Sequence, residues 1–301
     1  MRVMRSLPRI ESTAASQEYP WSVAKRFLIV FLVAAALLAA TAVTHYHVAK
    51  RTERIERETR ELLNVQLGKT EIDRDLEDVT ADLMFLARHN ELQGMFAEDA
   101  PEPRRMLAKQ FLVFSMQKRK YDQIRVLDQT GMEVVRVNYN DGDPTIVPAD
   151  QLQNKARRYY FAKTWALARD GVYISPLDLN IEHGQIEQPT KPMIRFGTPV
   201  FDRLGRKSGI LLFNYLAANL IGDFRRSAAN ISDHVMLLNA DGYWLSSPRP
   251  EDEWGFMYNN DRTLAKAHPD AWKRVRADDF GQFYTEEGMF SFTTIYPLSH
   301  A

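Results

Sequence analysis

The residues of this chain best suited to chemistry are arginines in its second half. Arg157 and Arg195 each carry a planar guanidinium group, and together they can form a bidentate clamp on a carboxylate. The alternative is that each arginine pairs with a neighbouring acid or lies on the surface. Arg195 stands between Ile194 and Phe196 on a predicted strand, so its side chain points to the opposite face. These residue types predict a site for an anion.

Three tyrosines and an aspartate accompany these arginines. Tyr159, Tyr160 and Tyr173 can line a ligand pocket or pack in the core, because each has an apolar ring with a polar tip. Asp178 lies just past a predicted strand, where it can either contribute a polar group to the pocket or cap a turn. The residues alone leave both alternatives open.

Motifs for metals, cofactors and catalysis are absent from the sequence. The chain has no cysteine, which excludes disulfide frameworks, thiolate-bound metal clusters and thiol nucleophiles. The seven histidines are scattered, and His45 and His47 are two residues apart, whereas a helical metal pair needs a spacing of four. No phosphate-binding loop, dinucleotide fingerprint or serine-hydrolase motif occurs. We therefore expect no metal and no cofactor.

Length and charge narrow the class of protein further. The chain has 301 residues, with 39 basic and 39 acidic side chains, so its formal net charge is zero. A nucleic-acid-binding domain usually carries a basic excess, so we expect no nucleic-acid partner. With 45% hydrophobic residues, the chain can bury the core of one or two domains.

A segment near the N-terminus predicts a transmembrane helix at 27–49. Its 23 residues include no Asp, Glu, Lys or Arg, and as a helix they reach about 34 Å, enough to cross a bilayer core of about 30 Å. The alternative is a cleaved signal peptide, because Ala40-Thr41-Ala42 resembles a cleavage site, but signal peptides have a shorter apolar region. Residues 1–26 hold five Lys or Arg against two Glu, which predicts a cytoplasmic N-terminal segment.

The next segment predicts a long helix at 50–103, here called the stalk. Apolar residues occupy eight of ten heptad positions between Ile55 and Leu86. Two interpretations stay open: this seam packs on its own domain, or it forms a parallel dimer. No proline lies between Trp21 and Ala100, so the transmembrane helix can continue into the stalk without a break.

Beyond the stalk, the sequence reads as short strands separated by turns. An Asp or Asn stands three residues before a glycine in three phrases: Asp128 and Gly131, Asp202 and Gly205, Asn239 and Gly242. The acid or amide can hydrogen-bond to its own turn, and the glycine supplies a positive φ. The first and third phrases are 111 residues apart, which predicts two similar modules, at 104–229 and 230–301. Antiparallel sheets with helices on their faces give an α+β fold.

Four further phrases occur in a characteristic order: Arg157–Tyr160, Tyr173–Asp178, Pro192–Asp202 and Gly209–Tyr215. With the helices before them, they resemble the double Cache sensor domain of bacterial transmembrane receptors, over about residues 28–301. Those receptors include histidine kinases, chemoreceptors and diguanylate cyclases. The resemblance implies two PAS-like modules, with the ligand pocket in the membrane-distal one at 104–229. It also implies a homodimer in the cell inner membrane, with residues 50–301 in the periplasm.

The resemblance also implies which residues bind the ligand. In the amino-acid-binding branch, an Arg-x-Trp-Tyr phrase holds the ligand carboxylate, and a Tyr-x-Asp strand end and a later Asp take the amine. The matching and neighbouring residues here are Arg157, Tyr159, Tyr160, Tyr173, Asp178, Arg195 and Asn214. Leu177-Asp178-Leu179 lacks the family tyrosine, and Asn214 replaces the second acid. We therefore expect a carboxylate, or another anionic or neutral metabolite, rather than an α-amino acid.

These observations predict the sensor region of a receptor rather than an enzyme. A small ligand in the distal module would favour one of two arrangements and shift the long helix. Any kinase or cyclase domain, and a second membrane helix, would lie beyond residue 301. Two other classes stay open: a membrane-tethered enzyme outside the cytoplasm, for which no nucleophile–base set is evident, and a scaffold that binds a protein.

Overall fold

The computed structural model describes residues 21–96, 101–182, 184–227 and 234–297. Most of the predicted cytoplasmic segment at 1–26 therefore lies outside the described residues. The chain divides into two units, Met1–Glu58 and Thr59–Ala301.

The first helix, α1, spans Trp21–Ala87 and includes the predicted transmembrane segment. An 18-residue window in it reaches a mean hydropathy of 2.6, so by length and composition this helix can cross a membrane. The helix ends before the predicted stalk boundary at 103. Two further helices follow, α2 at Asn90–Gly94 and α3 at Pro101–Lys118. Proline begins α3 because it lacks an N–H group and suits the first turn of a helix.

The heptad seam of α1 is buried in its second half. Five of its residues, each at most 4% exposed, belong to the main hydrophobic core: Ile72, Leu76, Val79, Leu83 and Leu86. Ile55 and Leu62, in contrast, are 50% and 39% exposed. From Ile72 onward the seam therefore packs within its own domain.

The first nine strands of the described chain follow α3, with one α-helix among them. They are β1 (Tyr121–Asp128), β2 (Glu133–Asn138), β3 (Thr145–Ile146), β4 (Tyr173–Ile174), β5 (Asp178–Leu179), β6 (Ile181–Glu182), β7 (Gln185–Ile186), β8 (Pro192–Phe201) and β9 (Lys207–Leu216). Seven of them form an antiparallel sheet in the order β3-β2-β1-β9-β8-β4, with β5 also paired to β8. Strands β6 and β7 form a separate hairpin.

The two faces of this sheet pack against different helices. Ile124, Phe196 and Phe213 share the main core with buried residues of α1 and α3. On the opposite face lies a short helix, α4 (Tyr159–Trp165), which packs on residues such as Leu212. Because side chains alternate along a strand, neighbouring residues of β1, β8 and β9 serve different faces.

The three predicted turn phrases are confirmed. In each, the Asp or Asn side chain accepts hydrogen bonds from the backbone N–H groups two and four residues later. The glycines of these turns have φ of +78° (Gly131), +79° (Gly205) and +83° (Gly242). The side chain thus closes the turn, and glycine adopts the left-handed conformation without the strain of a Cβ.

The last part of the chain contains α5 (Ala218–Ser227), β10 (Leu237–Leu238), β11 (Trp244–Ser246), α6 (Leu264–Ala267), α7 (Pro269–Val275), β12 (Phe280–Thr285) and β13 (Gly288–Thr293). Strand β10 pairs with β11, and β12 pairs with β13, as two separate two-stranded sheets. The predicted module boundary at 229–230 lies outside the described residues, so the division into 104–229 and 230–301 stays a prediction. The combination of helices and antiparallel sheets confirms the α+β fold.

Candidate ligand-binding site

A row of polar side chains crosses the sheet face that α4 covers. Asn138 on β2 is opposite Gln123 on β1, and Gln123 is in turn opposite Asn214 on β9. Asn214 is opposite Arg195 on β8. Directly opposed residues of antiparallel strands project to the same face, so the row is continuous over four strands. Such a polar row on a covered face is unusual, because buried polar groups cost free energy unless they have partners.

Helix α4 approaches this face closely and supplies an aromatic ring. A Cβ atom at Gly197 would lie 2.4 Å from Oγ1 of Thr164, so glycine at this position allows the helix to reach β8. The guanidinium carbons of Arg125 and Arg195 lie 5.3 and 5.9 Å from the ring centre of Tyr160. Both distances are within the range of cation–π attraction, so the buried Tyr160 ring interacts with two arginines.

Arg195 is held by several of the residues predicted from the sequence. Its Nη1 donates to Oδ1 of Asp178 at 2.7 Å and to the Tyr159 hydroxyl at 3.4 Å. Its Nη2 lies 3.5 Å from Oδ1 of Asn180. Burial raises the pKa of the Asp178 carboxyl, while the Arg195 guanidinium opposes that shift. Burial also raises the pKa of Tyr159 and Tyr173, so both phenols keep their protons.

The central cation of the site is Arg125, which the sequence analysis did not identify. Its side chain is buried, with 3% of the residue exposed. Its Nη2 donates to Oδ1 of Asn214 at 2.6 Å, and its Nη1 donates to the Tyr160 hydroxyl at 3.3 Å. Both partners are neutral. The available signal was alternation: Gln123 and Arg125 are two residues apart on a strand whose other face is apolar.

A bulge in β2 brings an acid to the same face. Val126 pairs with Val135 but Leu127 pairs with Glu133, so β2 has one extra residue between the two pairs. Such a bulge reverses the alternation of side chains along β2. The Glu133 side chain therefore projects to the face that packs against α4, instead of the face that packs against α1 and α3. There its Oε2 accepts from Nη1 of Arg136 at 2.9 Å. Its Oε1 lies 3.6 Å from Nη1 of Arg125, too far for a hydrogen bond.

This face also concentrates polar atoms without partners. Of eight buried side-chain atoms that lack a hydrogen-bond partner in the described part of the chain, five lie here: Nε of Arg125, Oε1 of Glu133, Nε of Arg136, Oδ1 of Asn138 and Oγ1 of Thr164. Each such atom costs about 1–3 kcal/mol when it stays unsatisfied. This concentration on one face sets it apart from the rest of the described chain, because buried polar atoms in native proteins usually have hydrogen-bond partners.

Arg157 is the predicted residue that the structure does not bring into this cluster. It is exposed, and it makes no hydrogen bond or ion pair with another described residue. The other six predicted residues lie on the α4 face or on α4 itself. Two surface clefts, of about 490 and 370 Å³, lie elsewhere, beside Phe85 and beside Trp272. Neither cleft is lined by Arg125, Arg136, Arg195 or the residues that contact them.

The family of the chain follows from its sequence and fold together. Residues 64–301 match the family model of the bacterial histidine kinase sensor domain. The chain belongs to this family. The match includes the whole seven-stranded sheet and α4, so the polar face described above lies within the sensor domain. No curated protein matches the chain in sequence.

Solved structures of other sensor domains share the fold. A domain of a sensory box/GGDEF family protein from Vibrio parahaemolyticus has a TM-score of 0.69 and 21% identity, covering 80% of this chain and 91% of that chain. The extracellular domain of vpHK1S-Z8, named as a histidine kinase, has a TM-score of 0.68 and 20% identity, covering 80% and 87%. The Campylobacter jejuni chemoreceptor Tlp3 sensory domain, with isoleucine bound, has a TM-score of 0.54 and 7% identity, covering 79% and 87%. The predicted resemblance to receptor sensor domains is confirmed.

The sensor domain offers binding groups rather than catalytic ones on this face. Its charged side chains are arginines and carboxylates that already contact one another, and Tyr159 and Tyr160 carry neutral hydroxyls. Among the residues that the structure describes, no group of three or more His, Cys, Asp or Glu is placed to hold a metal ion. The arrangement can bind and orient an anion through charge-assisted hydrogen bonds.

Proposed function

We propose that this sensor domain binds a small carboxylate-bearing metabolite on the α4 face of the sheet. Arg125, Arg195, Tyr159, Tyr160, Tyr173, Asp178 and Asn214 are the proposed contacts, with Arg157 at the exposed approach. The receptor would lie in the cell inner membrane, with residues 50–301 in the periplasm and α1 as its membrane anchor. The apolar window of α1 and the family of the chain support this placement.

The observation that carries the proposal is the set of bonding partners of the buried Arg125 side chain. A buried guanidinium is normally matched by a carboxylate, because an unpaired buried charge is costly. Arg125 has only a loose ion pair of this kind, because Oε1 of Glu133 lies 3.6 Å from its Nη1. Its hydrogen bonds go to the neutral Asn214 and Tyr160, and its Nε has no hydrogen-bond partner among the described residues. The nearest carboxylate, that of Glu133, is held by Arg136. A ligand carboxylate that accepts from the Nη groups of Arg125 and Arg195 would supply the missing negative charge.

The charges of the site favour an anionic ligand. Three arginines lie on this face, at 125, 136 and 195, and two carboxylates accompany them, at 133 and 178. Lys155 is close enough to Arg125 and Glu133 to interact with both electrostatically. The cations of this set outnumber its carboxylates, so a ligand anion is favoured over a neutral ligand.

Two hydrogen bonds on the opposite face support transmission of the signal to α1. Tyr121 donates to Oδ2 of Asp82 at 2.5 Å, and Tyr215 donates to Asp75. The two acids are seven residues apart on α1, and the two tyrosines are opposite one another on β1 and β9. Burial raises the pKa of both phenols well above their usual value, so they remain donors at physiological pH.

Strand β9 therefore contacts both the proposed ligand site and α1. Asn214 faces Arg125, and the next residue, Tyr215, is bonded to α1. A ligand that repositions β9 and the neighbouring β1 would move the two tyrosines and so shift α1 along its axis. Because the seam is buried from Ile72 onward, such a shift would be carried by the whole segment rather than by one side chain.

We also propose a homodimer through the earlier part of the stalk. Leu62, Leu63 and Leu67 on α1 are 39%, 58% and 47% exposed, and a second copy of the chain would cover them. Leu63→Asp should lower the dimeric fraction of the full chain in detergent, measured by light scattering. A monomeric wild-type chain would contradict the proposal.

The binding proposal is tested by thermal unfolding of the full chain in detergent with a panel of small carboxylates. A monocarboxylate at 100 times its Kd should stabilise the protein by about 2.7 kcal/mol and raise its Tm. Arg125→Gln should abolish this rise, while Arg105→Gln, an exposed arginine on α3 paired with Glu102, should retain it. Equal stabilisation of Arg125→Gln and the wild type, or none by any carboxylate, would overturn the proposal.

A further inference from the structure

We infer that the ligand site extends over β1 and β2 to a subsite for hydroxyl groups, formed by Arg125, Glu133 and Arg136. The inference rests on the proposed function, because it describes the remainder of a ligand whose carboxylate binds between Arg125 and Arg195. It assigns the ligand to the hydroxy-carboxylates, such as sugar acids, rather than to aliphatic acids.

The subsite contains unpartnered atoms of both hydrogen-bonding kinds. Nε of Arg125 and Nε of Arg136 are buried donors without a partner among the described residues. Oε1 of Glu133 and Oδ1 of Asn138 are buried acceptors in the same condition. Arg125 and Arg136 are directly opposite one another on β1 and β2, and Asn138 follows two residues later on the same face.

This mixture of atoms selects a neutral group that both donates and accepts. A second carboxylate would meet the acid of Glu133, which is itself only 1% exposed. An ammonium group would meet two guanidinium groups. An aliphatic chain would leave all four atoms unsatisfied, and a buried polar atom without a partner is unfavourable. A hydroxyl group donates to Glu133 or Asn138 and accepts from an arginine Nε, so it matches the set.

The geometry of the sheet fixes the reach that such a ligand needs. Neighbouring strands lie about 4.8 Å apart, so a group on β2 is about 10 Å from one on β9, two strands away. The carboxylate end lies near Asn214 on β9 and Tyr160 on α4, and the hydroxyl end lies over β2. A chain that carries several hydroxyl groups behind its carboxylate spans this distance.

The test compares three probes on the full chain in detergent by isothermal titration calorimetry. D-gluconate carries both the carboxylate and the hydroxyl groups. Hexanoate has the same number of carbon atoms and the same charge but no hydroxyls, and sorbitol has the hydroxyls without the carboxylate. We expect gluconate to bind at least about tenfold more tightly than hexanoate, because each additional satisfied hydrogen bond contributes several-fold in affinity. Sorbitol should bind most weakly.

Two variants assign the difference to the subsite. In Glu133→Gln the side-chain NH2 takes the place of Oε1 and cannot accept, so the preference for gluconate over hexanoate should fall about tenfold. Asn138→Ala, outside the ion pairs, should reduce gluconate binding severalfold and leave hexanoate unchanged. Unaltered circular dichroism and a cooperative melt establish that each variant is folded.

The outcomes separate this inference from the proposed function. Equal affinity for hexanoate and gluconate, both lost in Arg125→Gln, would mean that the subsite holds only water, and would overturn the inference while the carboxylate site stands. Absence of gluconate binding at millimolar concentration would also overturn it. Absence of binding by every carboxylate, these two included, would overturn the proposed function as well.

Discussion

The two faces of the seven-stranded sheet use the same strands for opposite purposes. The face toward α1 and α3 is apolar, and its few polar atoms, such as the hydroxyls of Tyr121 and Tyr215, bond to acids of α1. The face under α4 carries arginines, carboxylates and unpartnered polar atoms. The difference shows that one face packs the domain against its long helices, while the other carries buried polar groups at a cost in stability, and we propose that these groups bind a ligand.

The largest expected effect is a difference in stability between variants at two adjacent residues of β9. Phe213 is fully buried on the helix face, and Phe213→Ala should lower the free energy of unfolding by about 3–5 kcal/mol, because it leaves a cavity. Asn214→Ala on the other face should cost about 1.5–3 kcal/mol in stability, because Asn214 accepts a hydrogen bond from the buried Arg125, and it should also weaken carboxylate binding. Chemical denaturation and calorimetry of the full chain measure both. Equal losses of stability would contradict the difference in role between the two faces of the sheet.

The next effect concerns the link from β9 to α1. A double-mutant cycle of Tyr215→Phe and Asp75→Asn should give a coupling free energy of about 1.5–3 kcal/mol, because the bond has a charged acceptor. The pair of Tyr121 and Asp82 serves as the matched second cycle one heptad further along α1. Additive losses in both cycles would mean that the tyrosines contribute only packing, and the proposed transmission would lose its support.

Much of the architecture could be predicted from local pattern. The three Asp/Asn-to-Gly phrases specify their turns through bonds within five residues, so their geometry does not depend on distant parts of the chain. The phrases Pro192–Asp202 and Gly209–Tyr215 coincide with strands β8 and β9 to within two residues for a similar reason: they are long apolar runs between strong turn signals. The apolar window of α1 is likewise a property of composition alone.

The composition of the site could be predicted only in part. Arg195, Asp178 and Tyr159 meet as expected, because strand alternation and a short loop position them. Glu133 could not be assigned to this face, because the bulge that turns it depends on pairing between β1 and β2. Arg125 is on a strand that reads as a simple hairpin arm. Its role depends on Asn214, which is 89 residues away in sequence.

A third, smaller effect tests what kind of ligand the polar face accepts. Asp178→Asn removes the carboxylate that competes with a ligand anion for Arg195. We expect monocarboxylates to bind about tenfold more tightly to this variant, although the unliganded protein becomes less stable because Arg195 loses its partner. Titration calorimetry and thermal unfolding measure the two changes. A ligand amine bound by Asp178 would produce the opposite result, a tenfold weaker affinity, and would favour an amino acid.

The smallest effect should come from the exposed arginines before α4. Arg157 and Arg158 are both exposed and make no ion pair with a described residue, so they form a matched pair of variants. An exposed charge contributes about 0.2–1 kcal/mol and is screened by salt, so Arg157→Ala should weaken carboxylate binding by at most about fivefold, and high salt should abolish the difference. Arg158→Ala should behave in the same way if both act only through long-range attraction.

A larger loss in Arg157→Ala alone, unchanged by salt, would mean that Arg157 contacts the ligand directly, as the resemblance implies. The polar face would then be completed by a residue that moves into it on binding, and its unpartnered atoms would belong to the open state of the sensor.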